Sequence, residues 1–289
     1  MKDIQFKITK NEQVNQDTIR LVITADEKLP AITAGQFLQL EVPDNTLILR
    51  RPFCIYDYDG YSITLYVAVV GKGTEALKKA KVWDALKAIL PLGNGFFNDG
   101  SSDAELLRSA RNDGRSFGFA QDDKGGRQGG VPTWIDEYKN IGILGGGIGC
   151  APLYRITKDY PTKNFFAYLG FNTKDRILFT EDYKKTCKKL VITTADGTAY
   201  EKGYALDYIK KDLSQLDAII MCGPHGLVKA AKTALADTKI PVFVSLEERM
   251  ACGVGACLVC TCPIEVGGAT KNKRVCFDGP VFSLQEVIV

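Results

Sequence analysis

Cys252, Cys257, Cys260 and Cys276 are spaced so that four residues separate the first two, two the next pair and fifteen the last. Thiolates in the order C-x4-C-x2-C with a distant fourth form the plant-type ligand pattern of a [2Fe–2S] cluster. Zinc is the main rival. Structural zinc sites usually pair two short C-x2-C units, and this chain has only one close pair of that kind at the ligand positions. Gly253 and Gly255 lie inside the ligand loop "CGVGAC". A loop that wraps a cluster must turn tightly and aim N–H groups at sulfur, and glycine permits both. Cys262 could replace Cys260 on spacing alone, but Cys260 keeps the two-residue gap. A cluster of this kind carries one electron at a time, so the rest of the chain is expected to supply a donor or an acceptor.

Other stretches could bind phosphates. Arg51-Pro52-Phe53-Cys54 opens a strand, and an arginine fork there matches the oxygens of a diphosphate. Gly71-Lys72-Gly73-Thr74 joins a strand to a helix, a place where backbone N–H groups gather an anion. Gly145 to Gly149 follow a strand and precede a helix. A strict dinucleotide fingerprint would put a third glycine where Cys150 stands and an acid about twenty residues on. The next strand ends "LGFNTKD" with no acid at its tip, so that fingerprint fails. Cys222-Gly223-Pro224 ends a later strand. Ligands of open α/β sheets bind at such carboxyl ends, so the two turns can share one pocket. Lys174 and Arg176 could meet a 2′-phosphate, or be ordinary surface charges. His225 is the single histidine; no side chain is assigned a catalytic role.

The elements that must hold these residues fall into two rhythms. Residues 1–97 read as short β-branched or aromatic strands with turns such as Asp59-Gly60 between them, which predicts a small antiparallel barrel. From about 133 strands alternate with helices, which predicts a parallel sheet over 133–240. The cysteine segment occupies 241–289. Between the halves, 98–132 is polar and Gly-rich and reads as a flexible inserted loop. The 289 residues suggest two or three domains. A net charge of +3 is too small to argue for nucleic acid, and no apolar run is long enough to span a membrane. The N-terminus carries no apolar signal segment, so a cytoplasmic protein with reduced thiols is expected.

The motifs R-P-F-C, G-K-G-T and P-L-G-N-G together resemble the flavin barrel of ferredoxin–NADP reductase-like proteins. "GGGIGCAP" and "CGP" match the nicotinamide half of that superfamily. "SLEERMACGVGACLVC…VCFDGPVF" is similar to the C-terminus of electron-transfer subunits of NAD-dependent (class 1B) dihydroorotate dehydrogenases. The resemblance covers nearly the whole chain outside 98–132. It implies an FAD-binding barrel over 1–97, an NAD-binding α/β domain over 133–240 and a small [2Fe–2S] domain over 241–289. FAD would lie along Arg51, Pro52, Phe53, Cys54, Tyr66, Val67 and Ala68, with Arg51 on the pyrophosphate and phosphate held by Gly73 and Thr74. NAD would use Gly146, Gly147, Gly149, Cys222, Gly223 and Pro224. Two departures stand out: the family usually has Ser or Thr at the place of Cys54, and often Arg at that of Ala68. The resemblance further implies electron transfer between NAD(H) and an FMN-containing catalytic subunit of a heterotetramer in pyrimidine biosynthesis. A subunit of a ferredoxin–NADP transhydrogenase or sulfide dehydrogenase, and a non-catalytic redox-sensing protein, are the alternatives.

Overall fold

A computed structural model of the chain describes residues 1–96 and 134–289. The segment 98–132, read above as an inserted loop, lies outside the described residues. The first sheet contains β1 (Lys2–Asn15), β2 (Thr18–Thr24), β3 (Phe37–Leu40), β4 (Arg51–Cys54), β5 (Asp57–Tyr58), β6 (Ser62–Ala68) and β7 (Ala85–Leu92), in the order β4-β3-β7-β1-β2-β6-β5. Every pairing is antiparallel. Alternation decides its inner face: Ile4, Phe6 and Ile8 of β1 meet Ile19, Leu21 and Ile23 of β2 and Ile63, Leu65 and Val67 of β6 in one core. Helix α1 (Lys72–Lys79) follows β6. Its Leu77 joins that core.

The second sheet runs β11-β10-β9-β8-β12-β13-β16. Its strands are β8 (Asn140–Gly146), β9 (Asn164–Phe171), β10 (Lys189–Thr194), β11 (Glu201–Lys202), β12 (Ala218–Cys222), β13 (Val242–Ser245) and β16 (Val281–Ser283). All pairs are parallel except β13 with β16. "AIIMC" of β12 is buried throughout, as a central strand covered on both faces must be. Helices α2 (Ala151–Asp159), α3 (Thr180–Thr186), α4 (Ala205–Ile209) and α5 (His225–Ala234) connect the strands. Pro152 in the first turn of α2 suits a position whose N–H has no intrahelical partner.

A hairpin, β14 (Thr261–Val266) with β15 (Ala269–Arg274), lies between β13 and β16. The cysteine segment therefore leaves the second sheet through β13 and re-enters it through β16. A division at 240/241 cuts across this sheet, because Val242–Ser245 is hydrogen-bonded to β12. One continuous core holds Phe37 and Leu92 of the first sheet, Met221 and Val244 of the second, and Cys260, Val275 and Cys276 of the cysteine segment. The three parts consequently pack as one body.

Candidate functional site

The cysteine loop is built around sulfur. Val254 and Cys257 donate backbone N–H groups to Cys252 Sγ, each at 3.4 Å. Gly255 N–H donates to Cys276 Sγ at 3.1 Å, and Cys276 N–H to Cys260 Sγ at 3.4 Å. Positive φ at Gly253 (70°), Gly255 (81°) and Leu258 (61°) lets successive amides turn inward. Burial pushes the Cys252 thiol up, but the Val254 and Cys257 amides outweigh it and hold the group at about 6. Arg274 fastens the loop: it pairs with Asp278 at 2.8 Å and donates to Gly255 O at 3.3 Å. The donor set fits a cluster of thiolate-bound iron, because N–H groups aimed at sulfur stabilise its negative charge. Among the described residues no three His, Cys, Asp or Glu side chains close round a single metal ion. Cys262 is buried on β14 among apolar neighbours, and burial pushes its thiol up to about 12.

The flavin-side residues gather at the edge of the first sheet. All four residues of β4 are half-buried, as an edge strand with a partly open face would be. Arg51 lies against the start of α1: a β-carbon on Gly73 would stand 2.9 Å from Arg51 Nε. Its guanidinium also donates to Leu49 O at 2.5 Å. Arginine and the helix start thus face one another, an arrangement suited to a diphosphate. Thr74 does something the motif did not suggest. Its hydroxyl accepts N–H bonds from Val70 (2.9 Å) and Gly71 (3.1 Å) and donates to Gly71 O (3.0 Å). The side chain ties the turn together. On β6, Tyr66 and Ala68 share one half-buried face, while the Val67 side chain points into the barrel core.

The nucleotide-side residues line a cavity of ≈ 710 Å3 at the carboxyl ends of β8, β9 and β12. Gly146, Gly147, Gly149, Gly223 and Pro224 all border it. Gly149 and Gly223 touch so closely that a β-carbon on Gly149 would stand 2.7 Å from Gly223 Cα. Gly147, at φ 56°, turns the chain out of β8. Cys222 itself is buried behind the turn, and its thiol donates to Glu247 Oε1 at 3.8 Å. Arg176 borders the same cavity and is paired with Asp17 from the β1–β2 turn. The Lys174 amide instead donates to Thr198 at 2.9 Å. His225 heads α5, with Nε2 3.7 Å from Glu248.

Glu247 falls within the stretch "SLEERMACGVGACLVC", but that motif gives it no role. It lines the cavity just beyond β13, and the protein around it raises its carboxyl above the ordinary range. Desolvation first, and the Glu247 charge second, push the Cys54 thiol up to about 12. The Cys222 thiol is likewise raised well above its ordinary value, by burial and then by Glu247. Glu247 thus borders the cavity, accepts from the Cys222 thiol behind it and raises the Cys54 thiol electrostatically. The signals available were its place in that stretch and its position two residues past a strand end.

A profile described as the iron–sulfur cluster binding domain of dihydroorotate dehydrogenase B matches residues 247–288. The chain is 32% identical to the dihydroorotate dehydrogenase B (NAD(+)) electron transfer subunit of Clostridium acetobutylicum, over 98% of this chain and 96% of the relative. It is 31% identical to the protein of the same name from Streptococcus mutans, again over 98% and 96%. Its fold is similar to a chain of an NADH-dependent reduced ferredoxin–NADP oxidoreductase whose structure addresses flavin-based electron bifurcation. There the TM-score is 0.75 and the identity 25%, over 98% of this chain and 89% of that one.

Proposed function

Because the chain belongs to the family of dihydroorotate dehydrogenase B electron transfer subunits, we propose that its three sites form one relay between NAD(H) and a catalytic partner subunit. The observation that carries this reading is continuity: cavity-lining Ala205 and Leu206, Phe37 (paired with Cys54 of β4) and Cys260 and Cys276 share one packed core. Bound FAD would supply the conversion between a two-electron hydride and single electrons, and a [2Fe–2S] cluster would supply one-electron transfer. The chain's own residues hold and align these groups. Gly147, Gly149 and Gly223 leave room for a dinucleotide backbone beside β8 and β12. Arg51 and the α1 turn hold the FAD diphosphate, and Tyr66 and Ala68 border the cofactor. Cys54 stays a neutral thiol, a weak hydrogen-bond donor beside the flavin. Cys252, Cys257, Cys260 and Cys276 ligate the iron.

The partner is an FMN-containing catalytic subunit oxidising dihydroorotate in pyrimidine biosynthesis, in a heterotetramer. Leu258, Val259 and Phe277, all exposed beside the ligand loop, offer the apolar surface on which it docks. No described helix is long and apolar enough to cross a membrane, and the nine free cysteines suit a reducing cytoplasm. Arg176, already paired with Asp17, favours NAD over NADP.

The test uses the purified full chain, loaded with FAD and cluster under anaerobic conditions. NADH should bleach the flavin and reduce the cluster. Adding the FMN-containing subunit should then give NAD-dependent dihydroorotate oxidation. Reduction of ferredoxin with no response to that subunit would instead place the chain with its bifurcating structural neighbour.

A further inference from the structure

Gln39 is 1% exposed, and neither end of its carboxamide has a hydrogen-bond partner among the described residues. Strand β3 explains its place. Leu38 and Leu40 point into the barrel core, while Phe37 faces the core shared with the cysteine segment. Alternation puts Gln39 on that same outer side. Outer positions of a barrel strand are normally polar because they meet water. Here the cysteine loop covers the position: a β-carbon on Gly253 would stand 2.6 Å from Gln39 Cγ and 2.7 Å from Nε2. Gly253 adjoins Cys252, and Gln39 stands opposite Pro52 of β4. The side chain therefore lies between the edge strand assigned to the flavin and the loop assigned to the cluster.

A buried amide without partners costs roughly 1–3 kcal/mol, so such a group asks what completes it. The loop already turns the amides of Val254 and Cys257 toward Cys252 Sγ. The nitrogen of Gln39 lies against the same turn at Gly253. We propose that Gln39 is a positioning residue of the flavin-to-cluster step, its otherwise unpartnered carboxamide nitrogen donating a hydrogen bond to a sulfide of the cluster that Cys252 would help to hold. This rests on the reading that Cys252, Cys257, Cys260 and Cys276 hold a [2Fe–2S] cluster. A donor to a cluster sulfur stabilises the more negative, reduced state and raises the reduction potential. It also joins the barrel strand beside the flavin to the loop.

The test is a redox titration of the full chain, loaded with FAD and cluster, followed by EPR for the cluster and by absorbance for the flavin. Q39M keeps the length of the side chain and removes the donor; Q39E replaces it by an acceptor. At a fixed potential Q39M should lower the reduced-to-oxidised ratio of the cluster about tenfold, about 59 mV for one electron. Q39E should lower it further, and the FAD midpoint should not move. If Q39M folds poorly, Q39E gives the same reading. A cluster midpoint unmoved in both variants, with Q39M holoprotein more heat-stable than wild type, would mean that the amide stays unpaired and overturns the proposal. Wild-type chain without two irons and two sulfides would instead remove the ligand assignment on which the proposal stands.

Discussion

Cys260 and Cys262 stand two residues apart, and only one of them can complete the ligand set. Strand β14 separates them. Cys262 and Ile264 are buried on its inner side, while Thr261, Pro263 and Glu265 face out. Cys260 precedes the strand and accepts the amide of Cys276. Cys262→Ala should therefore keep full iron and sulfide content and lose only packing, about 1 kcal/mol in a denaturant melt. Cys260→Ala should lose the cluster, read as iron per chain and as the EPR signal of the reduced protein. Equal iron loss in both would refute the assignment. The choice was partly legible beforehand, since Cys260 keeps the two-residue gap from Cys257. The roles of Glu247 and Gln39 were not legible. Each gains its surroundings from a segment distant in the chain, the cavity in one case and Gly253 in the other, and no local pattern encodes that.

At the scale of elements, the wall of the cavity at the ends of β8, β9 and β12 depends on one buried acid. Asp212 follows α4, whose Ala205 and Leu206 border the cavity. It accepts hydrogen bonds from Tyr168 of β9 and from Lys189 of β10, the latter at 2.5 Å. Desolvation raises its carboxyl, but Lys189 and Tyr168 outweigh that and the group ends below its ordinary value. A lowered folded value contributes stability above the unfolded value of 3.8, and the contribution is lost as pH falls below it. Asp212→Asn should cost roughly 1.5–3 kcal/mol at pH 7. The gap between the two melting curves should close as pH drops toward 3; a constant gap would show that packing, not charge, holds the wall. Elements as such were readable from pattern. The strands of 1–97 alternate, and the segments around α2 and α5 repeat at helical spacing. Pairing order was not readable, because β13 and β16 close the second sheet from either side of the cysteine hairpin. Contacts so distant in sequence leave no trace in periodicity.

At the scale of the molecule, electron flow from nucleotide to flavin requires the two sheets to keep a fixed relation. A small aromatic wedge sets it. Tyr56, between β4 and β5, stacks on Tyr154 of α2 with ring centres 4.7 Å apart, and Tyr66 of β6 meets Phe179, just before α3, edge-on at 4.7 Å. The Tyr56 hydroxyl donates to Asp182 of α3 at 2.6 Å. Burial and the Asp182 carboxylate raise the tyrosine far above its ordinary value, so it remains a donor at any working pH. Lys158 with Asp57 and Arg155 with the Ile32 carbonyl span the same seam, at 2.7 and 2.9 Å. Lys158–Asp57 is exposed and contributes little, whereas the tyrosine bond is shielded by the wedge. Tyr56→Phe keeps the stacking and removes only the hydrogen bond, about 1–2 kcal/mol. The cysteine loop is bound to the seam through neither residue, so the cluster potential should hold. Stopped-flow mixing with NADH should show flavin reduction slowed severalfold in Tyr56→Phe, with FAD content and cluster midpoint unchanged. An unaltered rate beside a lowered melting temperature would show that the seam serves stability alone and that alignment comes from the cavity glycines.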